Sequence, residues 1–152
     1  MKVIFLDIDG VLNTSEDISE GVHLNPKFVK RVNRLIEFGR KSGPVTVCIS
    51  SSWRVIYSLD DIVKMLRATG MRAIVNWSET PIINSNDRRR GDEIEQWLES
   101  NKGRLQGYVI LDDDSDFLDY QKSFHIKTEW TEGFTEAKLE EAITIFSYLD
   151  LC

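Results

Sequence analysis

Short apolar, β-branched runs alternate along this chain with amphipathic helical segments. That pattern predicts an α/β protein: a five-stranded, mainly parallel sheet with helices on both faces. The second observation is positional. The chain's most unusual polar residues, Asp7 and Asp9, Ser50-Ser51-Ser52 and Asp112-Asp113-Asp114, each lie directly behind a strand-like run. Parallel sheets place their sites at those carboxyl ends, near the point where the strand order reverses.

The elements follow in order. Lys2–Leu6 reads as a continuous, buried strand. Asn25-Pro26 opens a helix, with Asn as N-cap and Pro at the first helical position; Phe28, Val29, Val32, Leu35 and Ile36 follow at helical spacing, and Gly43-Pro44 stops the run. Val45–Ser50 is the second strand, rich in β-branched residues. Ser58 to Asp61 resembles a capping box, and Leu59, Ile62, Val63 and Leu66 give the next helix its apolar face before Gly70. Arg72–Val75 is expected as the third strand, Gly91–Ser100 as a helix buried through Ile94, Trp97 and Leu98, Tyr108–Leu111 as the fourth strand and Ser123–Lys127 as the fifth. Thr135 caps a last helix with Leu139, Ala142, Ile143, Phe146 and Leu149 on one face. No repeat, low-complexity segment or linker interrupts the chain, so residues 1–152 are expected to form one domain.

Composition narrows the function. The chain has 152 residues, enough for a core without staples, and a formal net charge of -6. A domain built to wrap long duplex nucleic acid is usually basic, so that role is disfavoured, although a local basic patch is not. Two cysteines, Cys48 and Cys152, imply neither a disulfide framework nor a thiolate metal site. With no apolar stretch of about 20 residues and Asp7 and Asp9 interrupting the first apolar run, neither a membrane span nor a signal peptide is expected, and the setting is expected to be cytoplasmic.

Asp7 and Asp9, two residues apart at the mouth of a strand, fall on the same side of it. Two carboxylates forced together need a cation or a shared proton. A simple Asp-Gly turn requires one acid and Gly10, not both acids. Acids behind two neighbouring strands, without His or Cys, suit a hard cation, and Mg²⁺ is the usual one beside phosphate. A metal-bound phosphate also needs hydroxyl, amide and cationic donors. One serine of Ser50-Ser51-Ser52 and one arginine of Arg88-Arg89-Arg90 are candidates, with the remaining arginines facing solvent or substrate.

Together, Asp7-Ile8-Asp9-Gly10-Val11-Leu12, the serine behind strand two, the basic residue before a helix and Leu111-Asp112-Asp113-Asp114-Ser115-Asp116 resemble the haloacid dehalogenase-like (HAD) phosphohydrolase superfamily, with its four motifs in order. Ser50-Ser51-Ser52-Trp53-Arg54 and the run Arg90 to Leu98 are similar to small, nearly capless members associated with polynucleotide-end repair. The resemblance implies a Rossmann-like three-layer domain with a minimal cap. It makes Asp7 the nucleophile, Asp9 the acid and base, Ser51 the phosphoryl donor and Arg90 its countercharge. It places Mg²⁺ on the Asp7 and Asp112 carboxylates and the Asp9 backbone carbonyl, with Asp113 or Asp116 completing the shell. Ser52, Trp53, Arg54 and Gly10 are the expected substrate-binding residues. The implied activity is Mg²⁺-dependent hydrolysis of a phosphomonoester through an aspartyl-phosphate.

Neither loop that carries a cap in many HAD enzymes is large. Asn13–Leu24 reads as a short polar flap, and Trp77–Arg89 as a loop without regular structure. An open site suits a phosphate at the end of a bulky molecule, such as a nucleotide or a nucleic-acid 3′ or 5′ end. Trp53, Trp77 and the arginine run are candidates for base and backbone contacts, with site-wall packing the competing role for Trp53. His23 and His125 read as structural. Two other functions stay open: a phosphatase of small metabolites or phosphoprotein, and a non-catalytic phospho-aspartate signalling or binding module.

Overall fold

A computed structural model describes residues 1–151 and contains a five-stranded parallel sheet of order β3-β2-β1-β4-β5. The strands are β1 (Lys2–Leu6), β2 (Val45–Ile49), β3 (Asn76–Glu79), β4 (Gly107–Asp112) and β5 (His125–Lys127). The helices are α1 (Ser15–Ser19), α2 (Pro26–Arg40), α3 (Leu59–Ala68), α4 (Arg90–Asn101) and α5 (Glu136–Leu149). No helix among the described residues is long and apolar enough to cross a membrane.

The strand order explains the layers. From β1 the chain steps outward through β2 to β3, then returns past β1 to β4 and β5. Right-handed crossovers in opposite directions put their helices on opposite faces. Ile4 and Leu6 of β1, Val47 of β2 and Val109 of β4 pack with residues of α2, α3 and α5 in one cluster. Val3 and Phe5 of β1, Cys48 of β2 and Ile110 of β4 pack with Ile94, Trp97 and Leu98 of α4 in the other. Trp97 sits edge-on to Phe5, with ring centroids 5.3 Å apart, and its indole N–H donates to Ser78 Oγ at 2.9 Å.

The local signals explain most of the elements. Asn25 caps α2 by accepting the Lys27 N–H at 3.0 Å, with Pro26 at the first helical position. Ser58 and Thr135 cap α3 and α5 in the same way. Two strands differ from expectation. The third strand lies at Asn76–Glu79 rather than Arg72–Val75, because Asn33 Oδ1 accepts the N–H groups of Arg72 and Ala73 at 3.1 and 3.2 Å and holds that segment against α2. The strand that does form is a half-exposed edge with polar residues, which hydropathy does not mark. Residues 77–79 therefore leave the expected loop and join the sheet. The fifth strand is shortened to His125–Lys127 because Asp119–Phe124 winds into a 3₁₀ turn. The flap at 13–24 contains α1, closed by a reciprocal capping box between Thr14 and Asp17.

The start of α4 touches the loop that follows β4. An added Cβ on Gly91 would stand 2.8 Å from the Leu118 nitrogen and 2.9 Å from the Phe117 Cα. Backbone cannot yield as a flexible side chain can, so Gly91→Ala is expected to destabilise the protein by about 1–3 kcal/mol, read as a lower urea midpoint with an unchanged slope.

Candidate active site

Because β1 lies between β2 and β4, the carboxyl ends of these three strands converge. Asp7, Asp112 and Asp113 each bring a carboxylate oxygen within 4.8 Å of the others. Asp7 is 5 % exposed and Asp112 1 %. Burial pushes the Asp7 carboxyl up to about 6, against the pull of the Arg90 guanidinium. Burial and the neighbouring Asp7 push Asp112 up to about 9, and burial raises Asp113 as well.

The countercharge comes from Arg90, the first residue of α4. Its guanidinium lies 3.1 Å from Asp7 Oδ1 and 3.3 Å from Asp112 Oδ2, and it also donates to the Ser50 carbonyl. The backbone fixes its base. Arg90 N–H donates to Asp116 Oδ2 at 2.8 Å and Gly91 N–H to the Asp116 carbonyl at 3.0 Å, so one acid of the β4 loop closes the open end of α4. The arginine run divides its work. Arg88 turns onto buried Glu93, Arg89 pairs with Asp92 at the surface, and Arg90 faces the acids.

Asp9 stands apart from the carboxylate trio. Its two oxygens accept the Asn13 side-chain amide at 2.9 Å and the Trp53 indole N–H at 3.2 Å. Its neighbour Gly10 has φ +80, and a Cβ there would lie 2.4 Å from Asp113 Oδ2, so only glycine lets the two acidic loops approach this closely. Gly10 N–H donates to Asn13 Oδ1, and Gly10 O accepts the Thr128 hydroxyl at 2.7 Å. Both backbone groups of Gly10 thus serve the scaffold.

The serines separate as well. Ser50 is buried, with no hydrogen bond to its Oγ among the described residues. Ser51 is buried and caps the 3₁₀ turn Ser52–Val55, its Oγ accepting the Trp53 N–H at 3.2 Å. Ser52 is exposed. Arg54, expected beside the substrate, has its guanidinium buried in the framework. It donates to the Ser51 and Thr80 carbonyls at 2.7 Å each and pairs with Glu93 at 2.8 Å. Trp77 belongs to β3.

Sequence reasoning passed over several residues. Asn13 ties Gly10, Asp9 and the His23 carbonyl together. Thr128 bridges the loops after β1 and β4 through its hydroxyl and its N–H to the Asp112 carbonyl. His125 also reaches that carbonyl, with Nε2 at 2.9 Å, which requires the proton on Nε2; burial lowers the ring's affinity for a second one. Glu93 anchors both Arg54 and Arg88. The only sequence signal for Glu93 was an acid on the apolar side of a helix, next to Ile94.

The family comparison fits this geometry. Residues 3–139 match the model of the HAD domain in Swiss Army Knife RNA repair proteins. The chain belongs to this family. No curated protein and no solved structure gives a match. The HAD phosphohydrolase framework, with its connection to RNA repair, therefore rests on the family match and on the parallel sheet that assembles the acids.

Two outcomes are expected. In metal-free HAD domain, Asp7 and Asp112 hold protons to higher pH than they do in the unfolded chain. The stability these two acids contribute should therefore be fully present below the ordinary carboxylate range and be lost as pH rises through about 6 and on towards 9. Denaturation in EDTA across that window should show the decline, with a flatter profile for Asp112→Asn. Separately, Glu93→Leu strands the Arg54 guanidinium and should cost about 3–5 kcal/mol, whereas Arg54→Met/Glu93→Leu should recover much of that loss in the same denaturation assay.

Proposed function

We propose that this domain is a Mg²⁺-dependent phosphomonoesterase acting through an aspartyl-phosphate on the phosphate of a nucleotide or nucleic-acid end. The observation that carries the proposal is the convergence of Asp7, Asp112 and Asp113 under the single guanidinium of Arg90. The residues fit a hard divalent cation. The donors are all carboxylate oxygens, they lie within 4.8 Å of one another, and buried Asp112 Oδ2 makes no hydrogen bond among the described residues beyond its ion pair with Arg90 at 3.3 Å. Asp7, Asp112 and Asp113 would hold the ion, together with the backbone carbonyl of Asp9. Bound there, it would supply Lewis-acid polarisation of a phosphoryl oxygen and screen the repulsion between carboxylate and phosphate.

The chain's own groups then divide the reaction. The Asp7 carboxylate attacks phosphorus and the ester oxygen departs, taking a proton from Asp9. Asp9, now ionised, removes a proton from the water that attacks phosphorus of the aspartyl-phosphate; the bond from Asp7 oxygen to phosphorus breaks, inorganic phosphate leaves, and the Asp7 carboxylate and protonated Asp9 are restored. Arg90 neutralises Asp7 and the incoming phosphoryl group. The Ser51 hydroxyl uses a lone pair on the Trp53 N–H, and its proton remains for a phosphoryl oxygen. The Trp53 and Asn13 hydrogen bonds hold the Asp9 carboxylate apart from the Asp7, Asp112 and Asp113 trio. This separation supports an enzyme over a passive phospho-aspartate module, because it supplies an acid and base distinct from the nucleophile.

Phosphate release from 5′- and 3′-nucleotides and end-phosphorylated oligonucleotides tests the reading. Wild type should turn over with Mg²⁺ and stop in EDTA, and Asp7→Asn should release nothing above background. Asp9→Asn should lose about 10²–10⁴-fold in kcat. Undiminished release by Asp7→Asn would exclude it as the nucleophile.

A further inference from the structure

A pocket of about 270 Å³ opens beside Asp9, walled by Ile18 of α1, His23, Trp53, Ile56, Tyr57 and Met65 of α3. We infer that it is a subsite for the nucleobase of the nucleotide that carries the scissile phosphate. The inference rests on the phosphatase reading for the direction of the substrate. If Asp9 protonates the leaving oxygen, the group attached to that oxygen must extend from Asp9, and this pocket has Asp9 in its wall.

Three features select a base over other groups. The first is aromatic surface. Trp53 and Tyr57 lie side by side with ring centroids 5.6 Å apart, and Trp53 is itself bonded to Asp9. Base–aromatic stacking contributes about 1–3 kcal/mol per base. The second is exposure. Ile56 is 76 % exposed and Tyr57 40 %, a large cost in apolar surface that a stacked ring system would recover. The third is charge. Asp9 is the pocket's one carboxylate, His23 is its one basic side chain and no lysine or arginine lines it, so it suits a planar group with hydrogen-bonding edges rather than a second phosphate. Its size, just under the roughly 300–1,000 Å³ of whole-ligand pockets, fits one ring system and not an oligonucleotide. A phosphotyrosine ring shares the aromatic chemistry, and its binding is one of the outcomes tested below.

Binding decides the matter without turnover. Calorimetric titration of the Asp7→Asn protein with Mg²⁺ would use adenosine 5′- and 3′-monophosphate, ribose 5-phosphate as the base-free probe, and O-phosphotyrosine. One of the adenosine monophosphates should bind more tightly than ribose 5-phosphate. Adding Tyr57→Ala should reduce that preference about tenfold, Tyr57→Phe should keep it, and Tyr120→Ala, at a remote exposed ring, should leave it unchanged. Equal binding of nucleotide and ribose 5-phosphate, an unaltered preference in Tyr57→Ala, tighter binding of phosphotyrosine, or no nucleotide binding would each overturn the subsite. Phosphate release from ribose 5-phosphate by wild type tests catalysis alone, so a failed subsite and a failed phosphatase give different results.

Discussion

Acids placed at the ends of two adjacent buried strands repel one another, and the rest of the structure is arranged around that repulsion. Asp7 and Asp112 lie at the ends of the paired strands β1 and β4, where water is largely excluded. Leaving both ionised without a partner would cost far more than a surface pair, because the interior screens charge poorly. Arg90 answers this with one guanidinium between them. The same crowding that needs a cation for stability makes the spot attractive to a divalent ion.

That arginine can serve only if α4 is held in place. Asp116 draws the helix start to the β4 loop, and Gly91 allows the contact without a side chain in the way. Behind it, Glu93 joins Arg88 from the preceding loop and Arg54 from the turn after β2 in a buried cluster. A buried ion pair adds little net stability over apolar packing, but it penalises any arrangement that leaves one charge alone. Here it links the turn next to Ser51 to the helix bearing Arg90, so two parts of the site are tied together.

The two acids of the first loop meet different surroundings although only one residue separates them. Asp7 faces the buried trio and Arg90, while Asp9 is held by Asn13 and Trp53 at the edge of an apolar pocket. In the proposed reaction the first carboxylate is the site for attack and the second the proton carrier facing the departing group. Environment, not residue type, divides their roles.

The sequence by itself determined the alternation of strands and helices, the helix caps at Asn25, Ser58 and Thr135, and the acids behind β1 and β4. These depend on local spacing and on short-range hydrogen bonds, which a single chain displays. Tertiary structure decided what needed a partner from elsewhere. It moved the third strand to Asn76–Glu79, because Asn33 claims the preceding backbone. It also chose among equivalent neighbours: three consecutive serines and three consecutive arginines carry the same chemistry. Their separate environments arise only once β2, α4 and the β4 loop are brought together. Arg54 looked available in the chain and is taken up by Glu93, thirty-nine positions away. Such pairings join residues distant in sequence, so neither periodicity nor composition can show them.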